Sequence, residues 1–96
     1  MTEKAKEAIR RILWDYRITP EEYLKILDGE DCAPGFDRLW ALRRAVEGMN
    51  YYDLIEIVGL DRIARDWDAL KPSIRSRSRV RGIDYVLGKV SLSASR

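Results

Sequence analysis

A chain of 96 residues, 46% hydrophobic and 35% charged, has the makeup of one globular domain, too apolar for disorder. At that length it buries roughly 60–65% of its unfolded surface and folds without staples. No apolar run approaches the roughly 20 residues of a membrane span. The N-terminal MTEKAKEAIRR lacks a signal-peptide core, and Glu3 and Glu7 argue against a transit peptide. The single cysteine, Cys32, has no internal partner and fits a reducing cytoplasm.

A first helix is expected from about Glu3 to Leu13. Its apolar stripe is Ala5, Ala8, Ile9, Ile12, Leu13 and Tyr16, with Lys4, Lys6, Arg10 and Arg11 turned out. Trp14 falls about 180° from the edge of that stripe if the helix runs straight. The chain therefore either folds Trp14 inward, the usual fate of tryptophan, or leaves it exposed as a contact residue. Thr19-Pro20-Glu21-Glu22 is a capping box with Pro at the first helical position. The helix it opens presents Tyr23, Leu24 and Leu27 and stops at Gly29. The loop Gly29–Gly35 follows, with two glycines and a proline. A third helix, about Phe36 to Glu47, buries Phe36, Leu39, Leu42, Val46 and Met49 and shows Trp40, Arg43 and Arg44 on its other side.

Asn50–Gly59 is the most apolar stretch. Asn50 suits an N-cap and Gly59 a C-terminal stop. Tyr51, Leu54, Ile55 and Val58 form a stripe that Tyr52 and Ile57 widen, so that only Asp53 and Glu56 are left for water. Such a helix needs cover on several sides and is expected at the centre of the fold. Leu60, Ile63, Ala64, Trp67 and Leu70 make a fifth helix, closed by Lys71-Pro72. Ser73–Arg81, SIRSRSRVR, is expected as an extended lead-in to a serine N-cap. A last helix follows to about Leu87 along Val80, Ile83, Val86, Leu87 and Val90, with Gly88 at its end. The expected fold is all-α: a compact bundle of five to six short helices around a central apolar helix at about 50–58. It forms a single domain over 1–90, with a frayed tail at 91–96.

Chemistry is sparse. There is no histidine, the commonest general base and metal ligand, and a lone cysteine excludes the usual zinc spacings. No phosphate loop or nucleophile elbow is present. Asp28, Glu30 and Asp31 match no cation loop, and the carboxylates beside Cys32 disfavour its thiolate. The expectation is a chain that is not an enzyme and carries no cofactor or metal.

The charge is uneven. Residues 1–60 hold nine Lys/Arg and twelve Asp/Glu, a net of −3, and residues 61–96 hold nine and four, a net of +5. An asymmetry of this kind hints at an interaction surface. Arg75, Arg77, Arg79 and Arg81, with Arg62 and Arg65 nearby, fit an anion at a helix N-terminus. That anion is a nucleic-acid phosphate, a nucleotide or a partner's carboxylate; otherwise the arginines pair with the acidic first half. A helix–turn–helix built from Asn50–Gly59 and the next helix is disfavoured. Its first helix is too apolar, and Asp61, Asp66 and Asp68 would repel phosphates.

Leu13-Trp14-Asp15, then Arg44-Ala45-Val46-Glu47-Gly48, Tyr52-Asp53-Leu54, Gly59 and Tyr85-Val86-Leu87-Gly88 after a Ser/Arg-rich turn together carry a family resemblance. Over about residues 12–89 the chain resembles small prokaryotic proteins encoded beside abortive-infection-type nucleotidyltransferase toxins, which act as antitoxins or partner subunits. The resemblance implies a protein-binding role with the chemistry in the partner. Trp14, Trp40 and the arginine segment would then be the anchors, since Trp and Arg dominate interface energetics. Two other readings stand beside it: a nucleic-acid-binding module using Arg75, Arg77, Arg79 and Arg81, and a homo-oligomer packed through the apolar helix.

Overall fold

The computed structural model describes residues 2–30 and 34–94, whose regular elements are all helical, with no strand among them. Helix α1 (Glu3–Ile12) is N-capped by Thr2, whose hydroxyl accepts from Ala5 N at 3.1 Å. Helix α2 (Pro20–Leu27) starts with both bonds of the expected capping box, Glu22 N to Thr19 Oγ1 and Thr19 N to Glu22 Oε1, each 3.1 Å. Helix α3 (Arg38–Gly48) is capped by Asp37, which accepts from Trp40 N at 2.8 Å. Helix α4 (Tyr51–Asp53), capped by Asn50, passes directly into a π-helical turn, Leu54–Val58. Helix α5 (Leu60–Leu70) and a 3₁₀ turn, Lys71–Ser73, lead through an extended stretch to α6 (Arg77–Ala94).

The core forms around α3. Ala41, Leu42, Ala45 and Val46 are buried on that helix, against Ile9 and Ile12 of α1, Tyr23, Ile26 and Leu27 of α2, and Ile63, Trp67 and Leu70 of α5. Short alanines let neighbouring helices approach α3 closely. Gly48 shows how closely: a Cβ placed there would sit 2.5 Å from Ile12 Cγ2. Tyr23 is buried, its hydroxyl donates to the Ala41 carbonyl, and burial raises its phenol pKa well above the ordinary value.

The helical bundle is as expected, but its centre is not. The apolar stretch 50–58 lies at the side of the bundle and buries only Leu54 and Val58. Ile55 and Ile57 are half-buried, while Tyr51 and Tyr52 face out. The reason is the π turn, in which Gly59 N donates to Leu54 O, five residues back, at 3.0 Å. A wider turn advances each residue by less than 100°, so the stripe expected of an α-helix is not the face presented to the core. Gly59 closes the turn at φ +89° and ψ 144°, a conformation open essentially to glycine alone.

Helix α6 also exceeds its expected end. It continues through Gly88 to Ala94, and Gly88 lies in helical backbone rather than stopping it. The expected tail is thus helical over residues 91–94. Residues 95–96, Asp31, Cys32 and the Val90 side chain lie outside the described residues.

Candidate functional site

Three concavities join along one side of the molecule. The first, about 260 Å³, lies beside Trp14 and is walled by Arg11, Arg44 and Gly48. The second, about 230 Å³, shares Arg11 and Gly48 with it and reaches Met49, Asp53 and Arg79. The third, about 340 Å³, shares Met49 and Arg79 and opens between the α4–π segment and α6. Arg11, Gly48, Met49 and Arg79 therefore each border two of three neighbouring concavities, a segmented channel that runs from the end of α1 to the middle of α6.

Large aromatic side chains stand at both ends of that channel. Trp14 is 82% exposed, Tyr85 63% and Tyr51 51%, and Tyr52, edge-on to Tyr51 with ring centroids 6.1 Å apart, is 82% exposed. Trp14 therefore does not fold inward. Helix α1 ends at Ile12, Leu13 fills the core, and the turn that follows points Trp14 to solvent. The turn is held by Arg44, whose guanidinium donates to the Ile12 carbonyl and, at 2.8 Å, to Asp15. The same guanidinium lies 5.1 Å from the Tyr16 ring centroid.

Trp40 is placed differently. It is half-buried among Tyr16, Tyr23 and Phe36, with ring centroids 5.3, 6.3 and 4.5 Å away. Aromatic packing of this kind, edge-to-face with Tyr16 and tilted with Tyr23 and Phe36, holds the α2–α3 corner together. Trp40 does not line the channel that Trp14 borders and lies instead at a separate concavity with Leu39, Arg43 and Leu70.

The arginines do not gather on one face. Arg79 turns into the body and donates from Nη1 to the carbonyls of Val46 at 2.9 Å and Met49 at 2.6 Å. A cation on the free carbonyls of a helix C-terminus is well placed for the macrodipole, and this contact ties α6 to α3. The Arg75 backbone N–H donates to Glu47 at 3.1 Å. Arg77 and Arg81 are exposed, one helical turn apart, with no ion pair to any described residue. Arg62 pairs with Asp28 at 2.5 Å, and its Nη1 is buried without an acceptor among the described residues. Arg65 is exposed and only 4.0 Å from Asp66, a carboxylate already held by Arg38 at 2.7 and 3.0 Å.

Helix α6 is fastened at its other flank by Asp84, which accepts from Trp67 Nε1 at 2.6 Å and pairs with Lys71 at 2.8 Å. Those two donors, Lys71 first, hold its carboxyl below the ordinary range. Among the described residues no three His, Cys, Asp or Glu groups converge on a metal site. No helix of the described residues is long and apolar enough to cross a membrane.

Of the residues singled out in the sequence, Trp14 and Arg79 border the channel. Arg62, Arg65 and Trp40 lie elsewhere. Tyr51, Tyr85, Arg11 and Gly82 line the channel without having been singled out. A signal for Tyr51 and Tyr52 exists, since adjacent helical residues sit 100° apart and two bulky rings cannot both point inward. Tyr85 falls outside the α6 seam on the same wheel. Comparison of the chain with protein-family models, curated proteins and solved structures finds no match.

Proposed function

We propose that this chain is a small antitoxin-like binding protein that restrains a partner toxin, with a nucleotidyltransferase as the partner to which the resemblance points. One observation carries the reading: an exposed tryptophan and exposed tyrosines border a row of neighbouring concavities, at positions where the core does not need them. Aromatic anchors beside arginines are the usual energetic centres of protein interfaces. Leaving such rings in water has no benefit for the isolated fold, whereas covering them with a partner removes apolar area from water at about 25 cal/mol per Å².

The test is co-expression with the product of the neighbouring gene. Co-purification and relief of growth arrest are expected. Trp14→Ala should weaken the complex at least tenfold without lowering the melting temperature of the free chain. Neither complex nor relief would remove this reading.

Exposed Arg77 and Arg81, one turn apart on α6 and unpaired among the described residues, favour a second reading as a nucleic-acid-binding module. It predicts binding that falls steeply with salt, the log–log slope flattening by about one for each of the two arginines removed. Salt-insensitive binding, or none, excludes it.

A further inference from the structure

We infer that the cleft between the α4–π segment and α6 is a groove for an acidic amphipathic helix of a partner, a proposal that deepens the binding function above and rests on it. Val46, Met49 and Leu54 form one wall, and Gly82, Ile83 and Val86 the other. Tyr51 and Tyr85 stand at its lips. The α6 wall runs from Arg79 to Val86, about 10 Å along the helix axis. That is the span of side chains at i, i+4 and i+7 on a docked helix, the anchors by which amphipathic helices enter apolar grooves.

Gly82 is the telling residue. Glycine in a helix interior is unfavourable, yet a Cβ at Gly82 would meet nothing within 4 Å. Its backbone conformation requires no glycine either, since positive φ occurs among the described glycines only at Gly29, Gly35 and Gly59. The isolated fold gives no reason for a missing side chain here. A chain lying in the cleft gives one, because its backbone would approach α6 there.

Charge selects the occupant. Helix α6 carries Arg77, Arg79, Arg81 and Lys89 against one acidic residue, Asp84, which Lys71 and Trp67 engage. Arg79, itself bonded to the Val46 and Met49 carbonyls, is the one of these cations that lines the cleft. Of the facing segment's charges, Asp53 and Glu56, neither lines it. Lys89 lies 4.8 Å from the Tyr85 ring centroid at one lip, and Arg79 lines the cleft at its other end. No carboxylate lines the cleft among the described residues. A second copy presenting its α1, α3 or α6, each net basic, would bring like charges together, and its α2 and α5, each net −1, match the rim less well than a glutamate-flanked helix. The aliphatic walls suit leucine-like anchors and offer nothing to a phosphate chain. An apolar seam flanked by glutamates or aspartates satisfies both the walls and the rim.

The probe is a fluorescein-labelled 15-residue peptide with leucines at i, i+4, i+7 and i+11 and glutamates at the remaining exposed positions. Its counterpart replaces glutamate with lysine. Anisotropy titration against the full chain should show binding of the acidic peptide, weakening with salt, and little of the lysine peptide. Gly82→Leu, which fills the cleft, should weaken binding at least tenfold while holding or raising the melting temperature. Lys89→Glu should do likewise and carries the test if the leucine variant folds poorly. Absence of binding, equal binding of the lysine peptide, or wild-type affinity in both variants overturns the proposal. Peptide binding without any complex with the neighbouring gene product would keep the groove and remove the toxin reading. A toxin complex unaffected by Gly82→Leu and Lys89→Glu would do the reverse.

Discussion

A methyl group at Gly48 would lie 2.5 Å from Ile12 Cγ2, a methyl carried directly on the β-branched carbon, itself only 3.4 Å away, whereas a methyl at Gly82 would meet open space. Both glycines lie in helices, so local propensity alone predicts that alanine stabilises each by up to about 1 kcal/mol. Packing reverses the sign at one of them. Gly48→Ala should destabilise by about 1–3 kcal/mol through overpacking of the α1–α3 contact. At roughly 4–8 °C per kcal/mol for a chain of this size, thermal unfolding resolves the difference easily. Gly82→Ala should raise the melting temperature. Shifts of the same sign in both variants would show that α1 and α3 are not held apart by that distance. The sequence reveals Gly48 only as a helix terminator, because close approach is a property of the pair and Ile12 is 36 residues away. Arg44 and Arg79 are similar cases. In the sequence Arg44 reads as a solvated cation and Arg79 as an anion ligand, yet each closes the carbonyl end of another helix.

The elements whose boundaries depend on their own residues were legible in the sequence. Thr19-Pro20-Glu21-Glu22 forms its capping box, Asn50 caps α4 with a bond from Asp53 N to Oδ1 at 2.8 Å, and Ser76 precedes the α6 start at Arg77. The segment 54–58 was not, because a π turn changes the period on which the reading relied. Helix α6 depends on tertiary fastening, and its Asp84 makes that fastening sensitive to acid. Hydrogen bonds from Lys71 and Trp67 favour the carboxylate and depress its pKa in the fold. The Thr19 backbone N–H and side chain do the same for Glu22. With folded values depressed, the unfolded chain takes up protons first as pH falls. These groups therefore contribute stability above their ordinary values, near pH 4, and lose it as the pH drops through the folded ones. Wild-type melting temperature should fall steeply below pH 4. Asp84→Asn should melt lower at pH 7 and show a shallower acid limb. Identical acid limbs in the two proteins would mean that Asp84 does not fasten α6.

The two halves of the chain, of opposite net charge, meet in the folded molecule through a few specific contacts. Arg38 grips Asp66, Asp28 receives Arg62, and Glu47 receives the Arg75 backbone N–H. The pairing of late arginines with the acidic first half is thus realised for Arg62, while Arg77 and Arg81 stay outside it. The more exposed of these contacts add little each, typically 0–1 kcal/mol, the two-pronged, part-buried Arg38–Asp66 pair being the exception, so cohesion rests on the apolar centre around α3. Burial then falls outward from that helix. Its inner positions are fully enclosed, the π turn contributes two buried side chains, and residues 84–89 of α6 are at most half-buried. Local opening costs little where few apolar contacts must break. Native-state hydrogen exchange should therefore be slowest at the amides of Leu42, Ala45 and Val46, faster in residues 54–58, and fastest along residues 84–89 of α6. Adding the acidic peptide should slow exchange in residues 54–58 and in the Gly82–Val86 stretch together, since one occupant covers both walls. Protection of 54–58 equal to that of α3 in the free chain would restore that segment to the centre of the fold and leave no open cleft for a partner to fill.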